Sequence, residues 1–257
     1  MIPLRDNIPT RSRPVVTIAL IAINVLVFLF ELTAPTQHLP TTNQRVYLVQ
    51  GQTAIQYEYG FVPCELVDSC PLGDDTVDVG GRANIIVHHV PVLLTVLTSM
   101  FLHGGWAHLG FNMLFLWIFG NNVEDRLGRP RFAAFYLLGG VAAIALQWAF
   151  DRSSDLPTIG ASGAIAAVLA GYLLLYPRAV VVTLVGWIPV PLPAMLFLVI
   201  WIGLQVLGAA AGFSQAGGGS EGGVAYFAHV GGFVFGMLAI RLFAQRRAAV
   251  PPRRAAG

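Results

Sequence analysis

Ser162 and His229 each open a long apolar run, Ser162 within Gly160-Ala161-Ser162-Gly163-Ala164 and His229 within Ala228-His229-Val230-Gly231-Gly232. A serine hydroxyl is a weak nucleophile until a neighbouring base takes its proton, and neutral imidazole is the usual base near pH 7. The two side chains therefore supply a nucleophile and a general base. Attack on a carbonyl creates an oxyanion, which needs preorganised donors in a place of low dielectric. His108 and Asn112 are four residues apart and so share one face of a helix, where they offer an imidazole and an amide. The backbone N–H of Ser162 at a helix amino terminus offers a third donor. Taken singly, each has a plainer reading: a serine at a Gly/Ala-rich helix start packs helices together, and a buried His or Asn bonds a neighbouring helix. Taken together, they are the parts of acyl-transfer chemistry.

The elements that must hold these residues are membrane helices. Hydrophobic residues make up 56% of the 257 and charged residues only 11%, against roughly a quarter charged in an average soluble domain, which argues against a soluble globule. Apolar runs occupy 15 to 32, 106 to 121, 131 to 150, 160 to 176, 192 to 212 and 224 to 243, near the ~20 residues that cross a ~30 Å hydrocarbon core. The fold class expected is an all-α polytopic membrane bundle of six transmembrane helices. The first run continues to Leu32 with no small-x-small cleavage site after it, so it reads as a retained helix and not a signal peptide.

Orientation follows from the arginines, which supply all 15 basic residues. Arg5, Arg11, Arg13, Arg126, Arg129, Arg131, Arg178, Arg241, Arg246, Arg247, Arg253 and Arg254 fall on one side of the alternating spans, and only Arg45, Arg82 and Arg152 on the other. The positive-inside rule puts the first group, and both termini, in the cytoplasm. Arg clusters flanking membrane helices give no reason to invoke nucleic acid. Spans 2, 4 and 6 then run from outside to inside, and each carries its odd polar residues near its start. At 1.5 Å per residue, Ser162, His229, His108 and Asn112 share a depth on the order of 5 to 10 Å below the outer surface.

Residues 1 to 14 read as a cytoplasmic leader, 15 to 243 as the membrane domain with a large outer loop at 33 to 102, and 244 to 257 as a disordered cytoplasmic tail. That loop is far longer than a helix connection requires, so it should carry structure or function. Cys64 and Cys70, the only cysteines, lie in it; an oxidising compartment would allow them to pair, and the alternative is two reduced thiols. This stretch offers too few ligands for a metal, and no cofactor is expected. Gly212 to Gly223 reads as a mobile connection. Pro189, Pro191 and Pro193 suggest that span 5 starts irregularly or after a short amphipathic turn. Gly163, Ala166 and Ala170 match Gly232 and Gly236 at small-xxx-small spacing, which lets spans 4 and 6 approach.

Over nearly the whole chain these motifs resemble the rhomboid intramembrane serine proteases, in particular the prokaryotic six-span type. The similar segments are His103-Gly104-Gly105-Trp106-Ala107-His108-Leu109-Gly110-Phe111-Asn112, Glu124-Asp125-Arg126, Gly160-Ala161-Ser162-Gly163 and Ala228-His229 followed by Gly231-Gly232, with a similar leader from Met1 to Thr10. The resemblance implies a catalytic dyad of Ser162 and His229 without an Asp, with Asn112 and His108 at the oxyanion. It gives His103, Glu124, Arg126, Gly160, Gly163, Gly232 and Gly236 structural roles. It further implies single-pass membrane proteins as substrates, cut near the outer end of their helix, contact with membrane lipid, a prokaryotic plasma-membrane location, and span 5 as a lateral gate. Two features depart from the pattern. Leu94 and Thr95 stand where a Trp-Arg pair is common, and Ala166 stands four after the nucleophile, where an aromatic usually stacks on the base.

Two other functions compete. A non-catalytic rhomboid-like binder or chaperone for membrane helices could use the same polar centre for recognition. A small-solute transporter would place its site near mid-bilayer, often with carboxylates, whereas these spans carry no central Asp or Glu.

Overall fold

The helix that begins at Ser162 is the most enclosed element of the structure. In the computed structural model, which describes residues 1–245 other than 36, 41–45, 50, 68–75, 79–83, 87–89 and 215–223, this helix, Ser162–Leu175, is buried at every position from Gly163 to Tyr172. Its 14 residues rise only about 21 Å, short of the ~30 Å hydrocarbon core. Surrounding helices shelter it from lipid, so it has no need to span the core alone. Pro177, two residues past its last turn, cannot continue it.

In chain order the helices are α1 (Val15–Thr33), α2 (Gly51–Tyr59), α3 (Val92–Thr98), α4 (Trp106–Phe115), α5 (Asn121–Leu127), α6 (Arg129–Phe150), α7 (Ser162–Leu175), α8 (Ala194–Ser214) and α9 (Tyr226–Phe243). All six apolar runs are therefore helical. Among the described residues, α1, α6, α8 and α9 are long and apolar enough to cross a membrane by themselves, and a fifth span results if Val92–Phe101 and Trp106–Leu127, bent by 81°, count as one. A π-turn over Leu116–Gly120 joins α4 to α5. The core is built where α6, α7 and α9 pack on one another, around Phe132, Phe135, Tyr136, Leu169 and Tyr172.

The segment between α1 and α4 holds α2, α3, a short 3₁₀ turn at Pro63–Val67 and two hairpins, β2 (Gln37–Pro40) with β3 (Val46–Val49) and β4 (Thr76–Asp78) with β5 (Asn84–Ile86). Cys64 in that turn is fully buried. Cys70, the connection at 215–223 and the tail at 246–257 lie outside the described residues.

A small sheet lies at the end of the bundle opposite Ser162, and one expectation changes there. The leader forms strand β1 (Ile2–Asp6), and the proline-interrupted run forms no irregular helix start but strand β7 (Ile188–Pro193), both antiparallel to β6 (Val180–Val185) in the order β1-β6-β7. Proline lacks a donor and is tolerated in an edge strand. Pro189, Pro191 and Pro193 all fall on one parity of β7, so Ile188, Val190 and Leu192 keep their N–H groups for β6.

Asp6 at the end of β1 accepts hydrogen bonds from Asn122 Nδ2 at 2.6 Å and from the Tyr172 hydroxyl, tying the sheet to α5 and α7. A second tie starts α1. Its N-cap is Pro14, which supplies no side-chain acceptor, and the buried Glu124 carboxylate substitutes from α5. It accepts the N–H groups of Val16 at 2.9 Å and Thr17 at 2.7 Å, and the Thr17 hydroxyl at 2.8 Å. Arg126 Nη1 is buried without a hydrogen-bond partner, while the Arg126 carbonyl accepts Gln245 N–H at 3.3 Å.

Removing the acceptors in Glu124→Ala leaves buried donors unpaired and should lower stability by about 2 to 4 kcal/mol, read as a reduced unfolding midpoint in micelles with lost exchange protection at Val16 and Thr17. Burial raises the Asp6 carboxyl from 3.8 to about 6, the Tyr172 hydrogen bond opposing it. The folded state therefore holds this proton more tightly than the unfolded chain, so stability falls as pH rises from about 4 to about 6 and is level above. That slope should vanish from unfolding midpoints measured on Asp6→Asn across the same pH series.

Candidate active site

Two glycines set the distance between the nucleophile and the base. A Cβ on Gly232 of α9 would collide with the Gly163 carbonyl of α7, so the helices touch backbone to backbone at the residue after Ser162 and about one turn after His229. The first turn of α9 is held from a third side by Gln147 of α6, whose Oε1 accepts the Ala228 N–H at 3.2 Å. Ser162 Oγ consequently lies 2.7 Å from His229 Nε2, the separation at which an imidazole can take a hydroxyl proton. On the other edge of the ring, Nδ1 lies 2.7 Å from Gln205 Oε1 of α8. Trp201, one turn earlier on α8, places its ring 5.8 Å from the imidazole at a tilt of 39°.

Ser162 and His229 open into a cavity of about 580 Å³ whose lining also includes His108, Asn112, Phe111, Phe115 and Trp201. Asn112 Nδ2 is buried and has no hydrogen-bond partner. Buried amide donors are almost always paired, and this one is left able to bond an acceptor that enters the cavity. His108 Nδ1 accepts the Gly104 N–H at 3.3 Å, which assigns the proton of the neutral ring to Nε2. That edge faces Gly160, where a Cβ would stand 2.7 Å from Nε2. Gly160 also has φ +116, a region closed to side chains, and donates its N–H to the Ser99 carbonyl at 2.8 Å. The turn preceding Ser162 is thus shaped by the absence of a side chain.

His103 lies outside the cavity lining, and its backbone makes the tie. Its N–H donates to Glu31 Oε1 of α1 at 3.1 Å, and its carbonyl accepts Gln52 and Gln56 of α2 at 3.0 Å each, while its ring packs edge-on against Phe28 and His108. Gly236 of α9 meets the Ala167 carbonyl, continuing the close contact begun at Gly232. Among the described residues, no group of three or more His, Cys, Asp or Glu is placed to hold a metal.

Sequence reasoning missed Gln147, Trp201, Gln205 and Glu31. Three of these carried a signal, because an amide or carboxylate within an apolar run demands a partner there just as His and Asn do. Trp201 carried none, since aromatic residues are ordinary in such helices.

An enclosed helix that sets a serine against a histidine among long apolar helices defines the class, an integral membrane protein built as a helical bundle. The rhomboid domain profile matches residues 91–246, more than half of the chain, and the protein belongs to the rhomboid family. It is 31% identical over 156 residues to Rhomboid protein 1, mitochondrial, of Saccharomyces cerevisiae, covering 58% of this chain and 42% of that one. With Rhomboid protease GluP of Bacillus subtilis it shares 42% over 78 residues, 30% of this chain and 15% of that one. With Rhomboid-type serine protease 2 of Emericella nidulans it shares 31% over 143 residues, 55% and 25%. The chain thus spans less than half the length of these relatives.

A methyl group at Gly160 must displace His108 or the turn that carries Ser162. Misplacement by about 1 Å costs an aligned pair roughly 100-fold, so the rate at which a fluorophosphonate labels Ser162 should fall by about that factor in Gly160→Ala, with the helical circular dichroism unchanged.

Proposed function

We propose that the protein is an intramembrane serine endopeptidase in which Ser162 is the nucleophile and His229 the general base. The observation that carries this reading is the 2.7 Å contact of Ser162 Oγ with His229 Nε2 beside the unpartnered Asn112 amide. Ser162 Oγ attacks the scissile carbonyl carbon as its proton passes to His229 Nε2. The oxyanion accepts hydrogen bonds from Asn112 Nδ2, His108 Nε2–H and the Ser162 N–H. His229 then returns the proton to the leaving amine as the C–N bond breaks, and a water deprotonated by the same ring releases the acyl group from Ser162. No cofactor enters these steps.

The substrates proposed are single-pass membrane proteins, cut near the outer end of their helix. An apolar cavity wall of Phe111, Phe115 and Trp201 suits a helix that unwinds into the site from lipid. Two of the relatives bear the names of proteases, which supports the assignment. In the same reading both termini are cytoplasmic, the membrane is a prokaryotic plasma membrane, and residues 15–243 act as one protease domain. His103, Glu124, Arg126 and the glycines at 160, 163, 232 and 236 are structural, and α8 is the flank through which substrate arrives. Of α8's 18-residue apolar window, 22% is buried, the smallest share among the four long apolar helices.

Ser162→Ala should leave a folded membrane protein whose cleavage of susceptible transmembrane helices in liposomes falls by at least about 10⁴-fold, and His229→Ala should abolish fluorophosphonate labelling of Ser162. Turnover in Ser162→Ala equal to that of the unaltered protein would overturn the reading, and absence of labelling in the unaltered protein would favour a non-catalytic binder of membrane helices.

A further inference from the structure

The geometry points to Gln205 of α8 as the positioning residue of His229, so that the Ser162–His229 pair is competent only while α8 is seated against α9. A neutral histidine carries one ring proton, and Nε2 can take the proton of Ser162 only if that proton resides on Nδ1. An acceptor at Nδ1 selects this tautomer. Gln205 Oε1 is such an acceptor at 2.7 Å, and the other half of its amide fixes the assignment. Nε2 of Gln205 reaches the Trp201 carbonyl of its own helix at 3.4 Å; a reversed amide would set oxygen against oxygen there and a donor against His229 Nδ1. Trp201 and Gln205 stand four residues apart on one face and contact the ring from α8, whereas Ala166 on α7 offers it no aromatic.

The helix that supplies these contacts is anchored unevenly. Ala194, Phe197 and Leu198 at its start are fully buried, whereas around Gln205 the neighbours Leu204 and Leu207 are 55% and 67% exposed and, among the described residues, Ala209 alone from 201 to 211 is buried. The contact there is with α9, where a Cβ on Gly208 would meet the Tyr226 ring at 2.5 Å. A tilt of α8 about its buried start moves the Gln205 end furthest. It withdraws the acceptor from Nδ1 and frees the ring to take the tautomer that cannot accept from Ser162. Access along α8 and competence of the base are thereby mutually exclusive states of one helix, and attack waits until α8 has returned.

This rests on the protease reading for its effect on turnover, but the tautomer of His229 can be read without any turnover. In protein carrying ¹⁵N-histidine in nanodiscs, with His229 assigned by comparison with His229→Ala, the ring should be protonated at Nδ1. Gln205→Leu, of similar bulk without an acceptor, should lose that preference and slow fluorophosphonate labelling about 10- to 100-fold. Gln205→Glu, which presents an acceptor oxygen, should restore both to within a few-fold, a rescue that lost packing alone would not produce. An Nε2-protonated ring in the unaltered protein, or a tautomer and labelling rate unchanged in Gln205→Leu, would overturn the inference. If the unaltered protein is never labelled, the protease reading fails, while the tautomer comparison still decides the role of Gln205.

Discussion

The backbone contact between α7 and α9, where Gly232 meets the Gly163 carbonyl, is the constraint on which the rest of the molecule depends. Side chains of ordinary size would hold two helices 8 to 10 Å apart, and small residues at the crossing allow a closer approach. Only at the shorter separation can a side chain as short as serine reach an imidazole on the neighbouring helix. The burial of α7 on all sides follows from the same contact, because a helix this close to α9 is also within reach of α6. A short, enclosed central helix is the outcome, and the cavity opens where that helix begins.

Lipid offers no hydrogen bonds, so each polar group within the bundle must find a partner inside the protein. Several of them do so by bonding across helices. Glu124 of α5 supplies the acceptors that Pro14 cannot at the start of α1. Gln147 of α6 accepts an N–H in the first turn of α9, and Glu31 of α1 fixes the residue from which the chain turns into α4. These bonds position helix ends, and the helix ends position the site. Asn112 Nδ2 is a buried donor without a partner that lies on the cavity lining beside Ser162 and His229.

The surroundings of His229 are asymmetric. On the α7 side stand Ser162 and, a turn further on, Ala166, whose methyl group gives the ring no stacking surface. On the α8 side stand Gln205 and the ring of Trp201. Apart from Ser162, the groups that meet the His229 ring lie on α8, a helix with much of its surface exposed. The most firmly packed part of the bundle thus sets the distance between Ser162 and His229, while its most loosely packed part sets the orientation of the ring.

The membrane character, the helical class and the residues that meet at the site were legible in the sequence, because each is a local property. Runs of about 20 apolar residues announce membrane helices, and Ser, His and Asn at the starts of such runs are too costly to be incidental. The Ser162–His229 pairing was suggested by shared depth, and the small residues on both helices said why they could approach. Spacing along the chain could not say which residue stands behind His229. Gln205 precedes it by 24 positions, and whether its side chain points at the ring depends on the rotation and tilt of α8 against α9. Nor could hydropathy distinguish β7 from a helix start, since alternating prolines become acceptable only once β6 and β1 define an edge. Local composition determined what each segment is, and packing in three dimensions decided which segments serve one another, because a hydrogen bond between helices is specified by distance and angle, neither of which is written along a single strand of residues.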